Sequence, residues 1–167
     1  MGYKVKTKWS EQELFLKLKN KVEDIEFPWR RRFFSSPGCR TDKGYFTYNL
    51  YNDFKMSINT PLYEDILIPI LYKLKAKAVI QARINMFINE FMFEKYLTYH
   101  QDHTFDCKTA ILNITNCNGG TQLKINNDEI IIESKENRVL IFDTTIEHRT
   151  VRPSNSSIRH ILNINYF

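Results

Sequence analysis

The 167 residues are enough for one domain with a sizeable core, and a composition 43% hydrophobic and 26% charged is that of an ordinary globular chain. A net charge of +5 permits contact with nucleic acid or another anion, but the basic residues are scattered, and the one cluster, Arg30 to Arg32, reads as a solvated turn. The longest apolar run, 66–72, is too short to span a bilayer, the opening MGYKVKTKWSEQ lacks a signal-peptide core, and three cysteines (Cys39, Cys107, Cys117) without a CxxC pair make no disulfide framework, so a reducing, cytoplasmic setting is expected.

Twelve Phe and nine Tyr favour a β-rich fold packed by large rings. Ser10 to Glu13 has the form of a capping box. It opens an apolar stripe at Leu14, Phe15, Leu18, Val22 and Ile25, which predicts a helix to about Asp24. Phe27, Pro28 and Trp29 break into extended chain, 35–44 reads as a loop, and Tyr45 to Leu50 as a strand. Thr60 and Pro61 supply an N-cap and a first-turn proline for a second helix, with Leu67, Ile70, Leu71 and Leu74 on one side. Pro69 should kink that helix or mark its true start.

From Ala78 onward the pattern changes to short β-runs. These are 78–93, 95–100, 109–115, 121–125, 129–133, 139–143 and 158–167, separated by turn signals such as Asn118-Gly119-Gly120, Asn126-Asn127-Asp128 and Glu136-Asn137-Arg138. The predicted fold class is α+β, mainly β: a barrel or jelly roll braced by helices. It forms a single domain, with 1–76 as a helical and strand support and 77–167 as the core.

Within this frame, His100 and Asp102 stand two apart at the end of a predicted strand, so their side chains share a face. His148, following the apolar strand 139–143, is the best third ligand. Two histidines and a carboxylate on one side of a cation, with the other side open, is the donor set of non-haem Fe(II) oxygenases. By strand parity Arg159, Ile161, Asn163 and Asn165 share one face of the last strand, and His160, Leu162, Ile164 and Tyr166 the other. An arginine and two asparagines make a poor core but suit a pocket for a small dicarboxylate, gripped by the guanidinium through paired hydrogen bonds. His103 alternates away from His100 and is placed at the rim; His160 is read as structural.

The HxD pair, the distal histidine and the later arginine, each on short strands, resemble the Fe(II)/2-oxoglutarate-dependent dioxygenases. Several stretches narrow the likeness to the small prolyl-4-hydroxylase-like members carried by phages and viruses: FPW at 27–29, YFTYNLY at 45–51, RINMF at 83–87, NCNGGT at 116–121, ESKENRVLIFD at 133–143 and NINYF at 163–167. The resemblance implies a double-stranded β-helix core, iron on His100, Asp102 and His148, and 2-oxoglutarate on Arg159. Asn85 would help hold the cosubstrate, and Asn163 and Asn165 complete that side of the pocket. In AlkB-type relatives a tyrosine stands where this chain has Phe87. The implied reaction consumes 2-oxoglutarate and O2, with ascorbate as a possible reductant, and hydroxylates a peptidyl or free amino-acid side chain, yielding succinate and CO2.

Two other readings stay open: an AlkB-type nucleic-acid demethylase, encouraged by the positive charge, and a cupin-like module that binds a metal or small molecule without turnover. Loops at 30–60 and 101–108 are expected to choose the prime substrate. Phe33, Phe34, Tyr45, Tyr48 and Tyr51 would either line a groove there or pack the helices onto the sheet.

Overall fold

The computed structural model describes residues 2–32, 44–52, 55–56, 62–90 and 94–167. In chain order the elements are β1 (Tyr3–Lys6), α1 (Gln12–Val22), β2 (Arg30–Arg32), β3 (Tyr45–Asn52), β4 (Lys55–Met56), a π-helical turn (Tyr63–Leu67) running into α2 (Ile68–Leu74), and β5 (Val79–Ile88). Then follow β6 (Lys108–Asn113), β7 (Gly120–Ile125), β8 (Asp128–Glu133), β9 (Arg138–Asp143), β10 (His148–Val151) and β11 (Ile158–Tyr166). A major antiparallel sheet runs β1-β9-β6-β11-β5-β3-β2 with β4 on β3, and a minor one runs β10-β7-β8. From β6 onward the chain passes back and forth between the two sheets, which is the winding of a jelly roll.

Strand parity organises the core. Ala82 and Ile84 of β5, Leu112 of β6, Val139 of β9, and Leu162 and Ile164 of β11 face outward against Leu18 and Val22 of α1 and Ile70 and Leu71 of α2. Their alternate neighbours Phe87, Ile111, Leu140, Phe142 and Ile161 face inward and meet Leu123 of the minor sheet. Both faces of the major sheet are therefore covered, and each fully buried Leu or Ile contributes roughly 1.5–3 kcal/mol. At the start of β7, an added Cβ on Gly120 would overlap the Ile132 carbonyl oxygen of β8, so only glycine lets these strands approach.

The predicted strands recur within a residue or two, with two exceptions: 78–93 is strand only over β5, Val79–Ile88, with 91–93 outside the described residues, and 95–100 makes only isolated bridges, Tyr96 with Val151 and His100 with His148. Pro69 marks the change from the π turn to α2. Arg30 to Arg32 is not a turn but an exposed strand paired with β3, because its extended backbone completes that edge. The unpredicted β1 pairs with β9 at the other edge. Strands from 1–76 thus belong to the same sheet as the core instead of merely supporting it. Tyr48 packs edge-on to Phe27, and Tyr51 stacks on Tyr63 beneath the helices. Cys107 and Cys117 are free and buried. Residues 33–43, 53–54, 57–61 and 91–93, which include Phe33, Phe34, Cys39, Thr60 and Pro61, lie outside the described residues. No helix among the described residues is long and apolar enough to cross a membrane.

The capping box does not form. Glu11 takes the N-cap position without a side-chain cap, and Ile25, beyond the end of α1, is 95% exposed. Ser10 turns instead to Asn137: its N–H and its hydroxyl each donate to Asn137 Oδ1 at 2.8 Å, and Asn137 Nδ2 donates to the Ser10 carbonyl at 2.9 Å. Both residues are buried, so this tertiary bond outcompetes a local cap. Asn137 also sits at φ 54°, where asparagine and glycine are the tolerant residues. On the outward face of β11, His160 stacks on Trp29 with centroids 5.5 Å apart and planes 9° from parallel, and burial lowers its pKa to about 4.

Two outcomes are expected. Asn137→Gly keeps the backbone geometry but strands the buried Ser10 groups, lowering stability by about 1–3 kcal/mol in urea titrations. For His160 the folded pKa lies below the ordinary histidine value, so the unfolded chain takes the proton first as pH falls. Stability is then complete above about pH 6.5 and declines toward pH 4, by about 1.4 kcal/mol per pH unit per proton. His160→Phe should retain the stack and remove one proton's share of that slope when urea midpoints are compared across this range.

Candidate metal centre

Three side chains converge at the open end of the barrel. His148 opens β10 in the minor sheet, and its backbone exchanges two hydrogen bonds with His100, N–H to carbonyl at 2.9 and 3.0 Å. Residues directly opposite in such a pair project to the same side, so the bridge sets the imidazoles together, 4.5 Å between centroids. Asp102 completes the group: its Oδ1 lies 3.7 Å from the Nε2 of each histidine, and all three donor atoms fall within 4.8 Å of one another. The shared direction of His100 and Asp102 therefore does not come from a strand, since the segment is not one; it comes from the bridge and from tethers on the aspartate.

Those tethers reach across from the major sheet. Asn165 Nδ2 donates to Asp102 Oδ2 at 2.8 Å and Thr109 Oγ1 donates to the same oxygen at 3.0 Å, while Asn165 also donates to Thr109 at 2.9 Å. This fixes one carboxylate oxygen and leaves the other turned to the imidazoles. Each histidine is held at its far nitrogen. His100 Nδ1 lies 3.2 Å from the Thr98 carbonyl, and His148 Nδ1 lies 3.0 Å from the Ile146 carbonyl, which keeps the proton on Nδ1 and the lone pair on Nε2. Phe142 packs edge-on to His148 at 4.8 Å.

The charges suit a cation. Burial works to raise the Asp102 pKa, but the neighbouring His148, Arg83 and His100 and the Asn165 hydrogen bond together outweigh it and hold the carboxyl well below the usual carboxylate range. For His148 burial is the largest influence and lowers the pKa, with Asp102 pulling the other way. At neutral pH Asp102 is ionised and His148 neutral, the protonation that binds a divalent transition metal.

A narrow cleft, partly open to solvent, extends from His100 and His148 past Asn85, Phe87, Thr121 and Asn163. Arg159 lies fully buried beside it, Nη2 donating to Asn113 Oδ1 at 3.1 Å and Thr121 Oγ1 at 3.2 Å, with the guanidinium 5.7 Å from the Phe87 ring centroid. Its Nε and Nη1 have no hydrogen-bond partner, and no carboxylate pairs with it among the described residues. Burial lowers its pKa to about 10, with Cys117 acting in the opposite sense, so it stays cationic.

The remaining sequence candidates fall as follows. Asn85 lines the cleft and accepts from Thr47 at 2.8 Å; Asn163 lines it with Oδ1 unpartnered; Asn165 is committed to Asp102. His103 stacks on Phe105 at 4.9 Å, outside the metal-ligand group, and His160 is buried on the other face of β11. Three further residues contribute: Thr109 and Asn113 of β6, which no sequence motif marks, and Arg83, which opens the RINMF stretch without a role of its own there and whose Nη2 stands 4.0 Å from Asp102 Oδ1. Arg83 shares parity with Asn85 and Phe87, which is the signal that could have revealed it.

No family model matches the sequence, and no curated protein matches it. Solved structures do match in fold. A prolyl hydroxylase from Trichoplax adhaerens, in complex with a hypoxia inducible factor oxygen degradation domain peptide fragment, aligns with TM-score 0.77 at 10% identity over 99% of this chain and 83% of its own. A prolyl-4-hydroxylase from Pseudomonas putida gives 0.73 at 10% identity over 99% and 91%, and a 2OG-Fe(II) oxygenase family oxidoreductase from Burkholderia pseudomallei gives 0.74 at 8% over 99% and 85%. The chain has the jelly-roll fold of these oxygenases.

If Asn165 and Thr109 orient the metal-binding oxygen, Asn165→Ala should weaken binding of Mn(II) or Zn(II) by roughly tenfold to a hundredfold in calorimetric titrations, with the fold retained by circular dichroism.

Proposed function

We propose that the chain is a non-haem Fe(II)- and 2-oxoglutarate-dependent dioxygenase that hydroxylates a peptidyl or free amino-acid side chain. The observation that carries this reading is Arg159. A buried guanidinium without a counter-charge costs several kcal/mol, and this one, unpaired with any carboxylate among the described residues, lies against Thr121 and Phe87 of the cleft that His100 and His148 also line. A metal-chelating dicarboxylate answers the guanidinium and the metal-ligand group at once. The cupin-like reading leaves Arg159 without a role. A fold neighbour seen with a peptide supports a peptidyl prime substrate.

In this reading each residue has a task set by its geometry. His100, Asp102 and His148 hold Fe(II) on one side and leave the cleft side free. Arg159 binds the distal carboxylate of 2-oxoglutarate, with Asn113 and Thr121 holding the guanidinium in place. Phe87, Leu97, Ile111 and Ile161 give the cleft apolar walls that limit water. When bound, iron and 2-oxoglutarate supply the activation of O2 needed to attack an unactivated C–H bond, with succinate and CO2 as coproducts.

Purified protein given Fe(II), ascorbate and 2-oxoglutarate should release succinate slowly even without a prime substrate. His148→Ala should lose metal binding and this release together, and Arg159→Leu should raise the KM for 2-oxoglutarate by roughly tenfold to a hundredfold. Absence of succinate, with metal binding unchanged in His148→Ala, would overturn the assignment.

A further inference from the structure

Arg83 lines the cleft as well, and although it helps keep Asp102 ionised it is neither in the metal-ligand group nor part of the grip on 2-oxoglutarate. Arg83 projects from β5 beside His100 and His148, its side chain 13% exposed. Among the described residues its nearest carboxylate is Asp102 at 4.0 Å, beyond hydrogen-bond reach, and its Nε is buried with no partner. Across the strands its register partner is Asn163, whose Oδ1 is also buried and unpartnered. Side chains opposed in this way share a face, so an unused cationic donor and an unused acceptor stand together. Buried polar groups are seldom left so, which makes the pair a candidate for a ligand.

The charges point the same way. Among the described residues in and beside the cleft, Arg83 and Arg159 oppose only Asp102. A divalent metal and a dianionic cosubstrate cancel each other, leaving one positive charge beside the metal centre. We infer that Arg83 and Asn163 form a subsite for a prime substrate bearing a carboxylate next to an N–H group, that is, a free amino acid or the C-terminal residue of a peptide rather than an internal residue. Arg83 takes the carboxylate through charge-assisted hydrogen bonds and Asn163 Oδ1 accepts from the N–H. Tyr45 and Leu97 line the same cleft and offer apolar surface to the rest of the side chain. This inference rests on the oxygenase reading for the identity of the other two ligands.

The test is a binding panel on the full chain loaded with redox-inert Zn(II) and 2-oxoglutarate. The probes are the free amino acids, their α-amides, a dipeptide with a free C-terminus for each preferred side chain, and the same residue inside an end-capped peptide. At least one free carboxylate should bind tighter than its amide by roughly tenfold to a hundredfold, and Arg83→Met should remove that preference while Arg83→Lys retains part of it. Free amino acids preferred over dipeptides indicate one source, and the reverse order the other. Amides or capped peptides binding as well as every carboxylate would overturn the subsite. So would an Arg83→Met variant that weakens 2-oxoglutarate alone and keeps the carboxylate preference. Succinate release without prime substrate is measured in parallel, so loss of the oxygenase reading is seen separately from loss of the subsite.

Discussion

Strand β11 is hydrogen-bonded along both edges, to β5 and to β6, and its inward face packs toward the minor sheet, so that face cannot turn to water. Every polar side chain on that face must find a partner inside the barrel, because burial without one costs about 1–3 kcal/mol, and more for a charge. Asn165 answers by clamping Asp102, and Arg159 answers in part through Asn113 and Thr121. Two nitrogens of Arg159 and the Asn163 carbonyl oxygen remain without partners. A core selected for stability alone would fill these positions with apolar residues, as the outward face of the same strand does at Leu162 and Ile164. The contrast between two faces of one strand locates the working side of the molecule.

The metal-ligand group spans the two sheets. His148 belongs to the minor sheet, Asp102 is anchored by residues of the major one, and His100 is joined to His148 by backbone alone. No single element supplies the geometry. It exists only when β10 stands across from β6 and β11, and the hydrogen bonds at the outer ring nitrogens then leave each imidazole one orientation. The ionised aspartate beside a buried neutral histidine follows from this placement and needs no further device.

Much of this was legible in the sequence, and the reasons differ from residue to residue. The outward and inward sets of β11 followed from alternation, since a strand buried on both faces still separates its polar from its apolar neighbours. His100, Asp102, His148 and Arg159 stood out because each breaks an otherwise apolar or turn-like context. His100 and Asp102 do point the same way, but through a cross-chain bridge and tethers on the aspartate instead of the strand that their spacing predicts. Arg83 shares a face of β5 with Asn85 and Phe87, but its approach to Asp102 depends on a distant segment folding over that face, which its neighbours in sequence do not reveal. Ser10 was misread because a local motif carries no sign of the distant asparagine that claims it. Arg30 to Arg32 became a strand because β3 offers an open edge, which no local pattern announces.

The bond between Ser10 and Asn137 joins positions 127 residues apart, and β1 pairs with β9 over a similar span. Strand β11, paired along both edges, comes later in the chain than the two strands it joins, β5 and β6. Closing such long loops is slow, since the entropy of closure precedes any reward from contact. A growing chain can form α1 early, but the edge at β1 and the centre of the major sheet must wait until β9 and β11 have been synthesised. The major sheet therefore cannot close until β11 has been synthesised, and until then the nascent segment carries unpaired strand edges that need protection from one another.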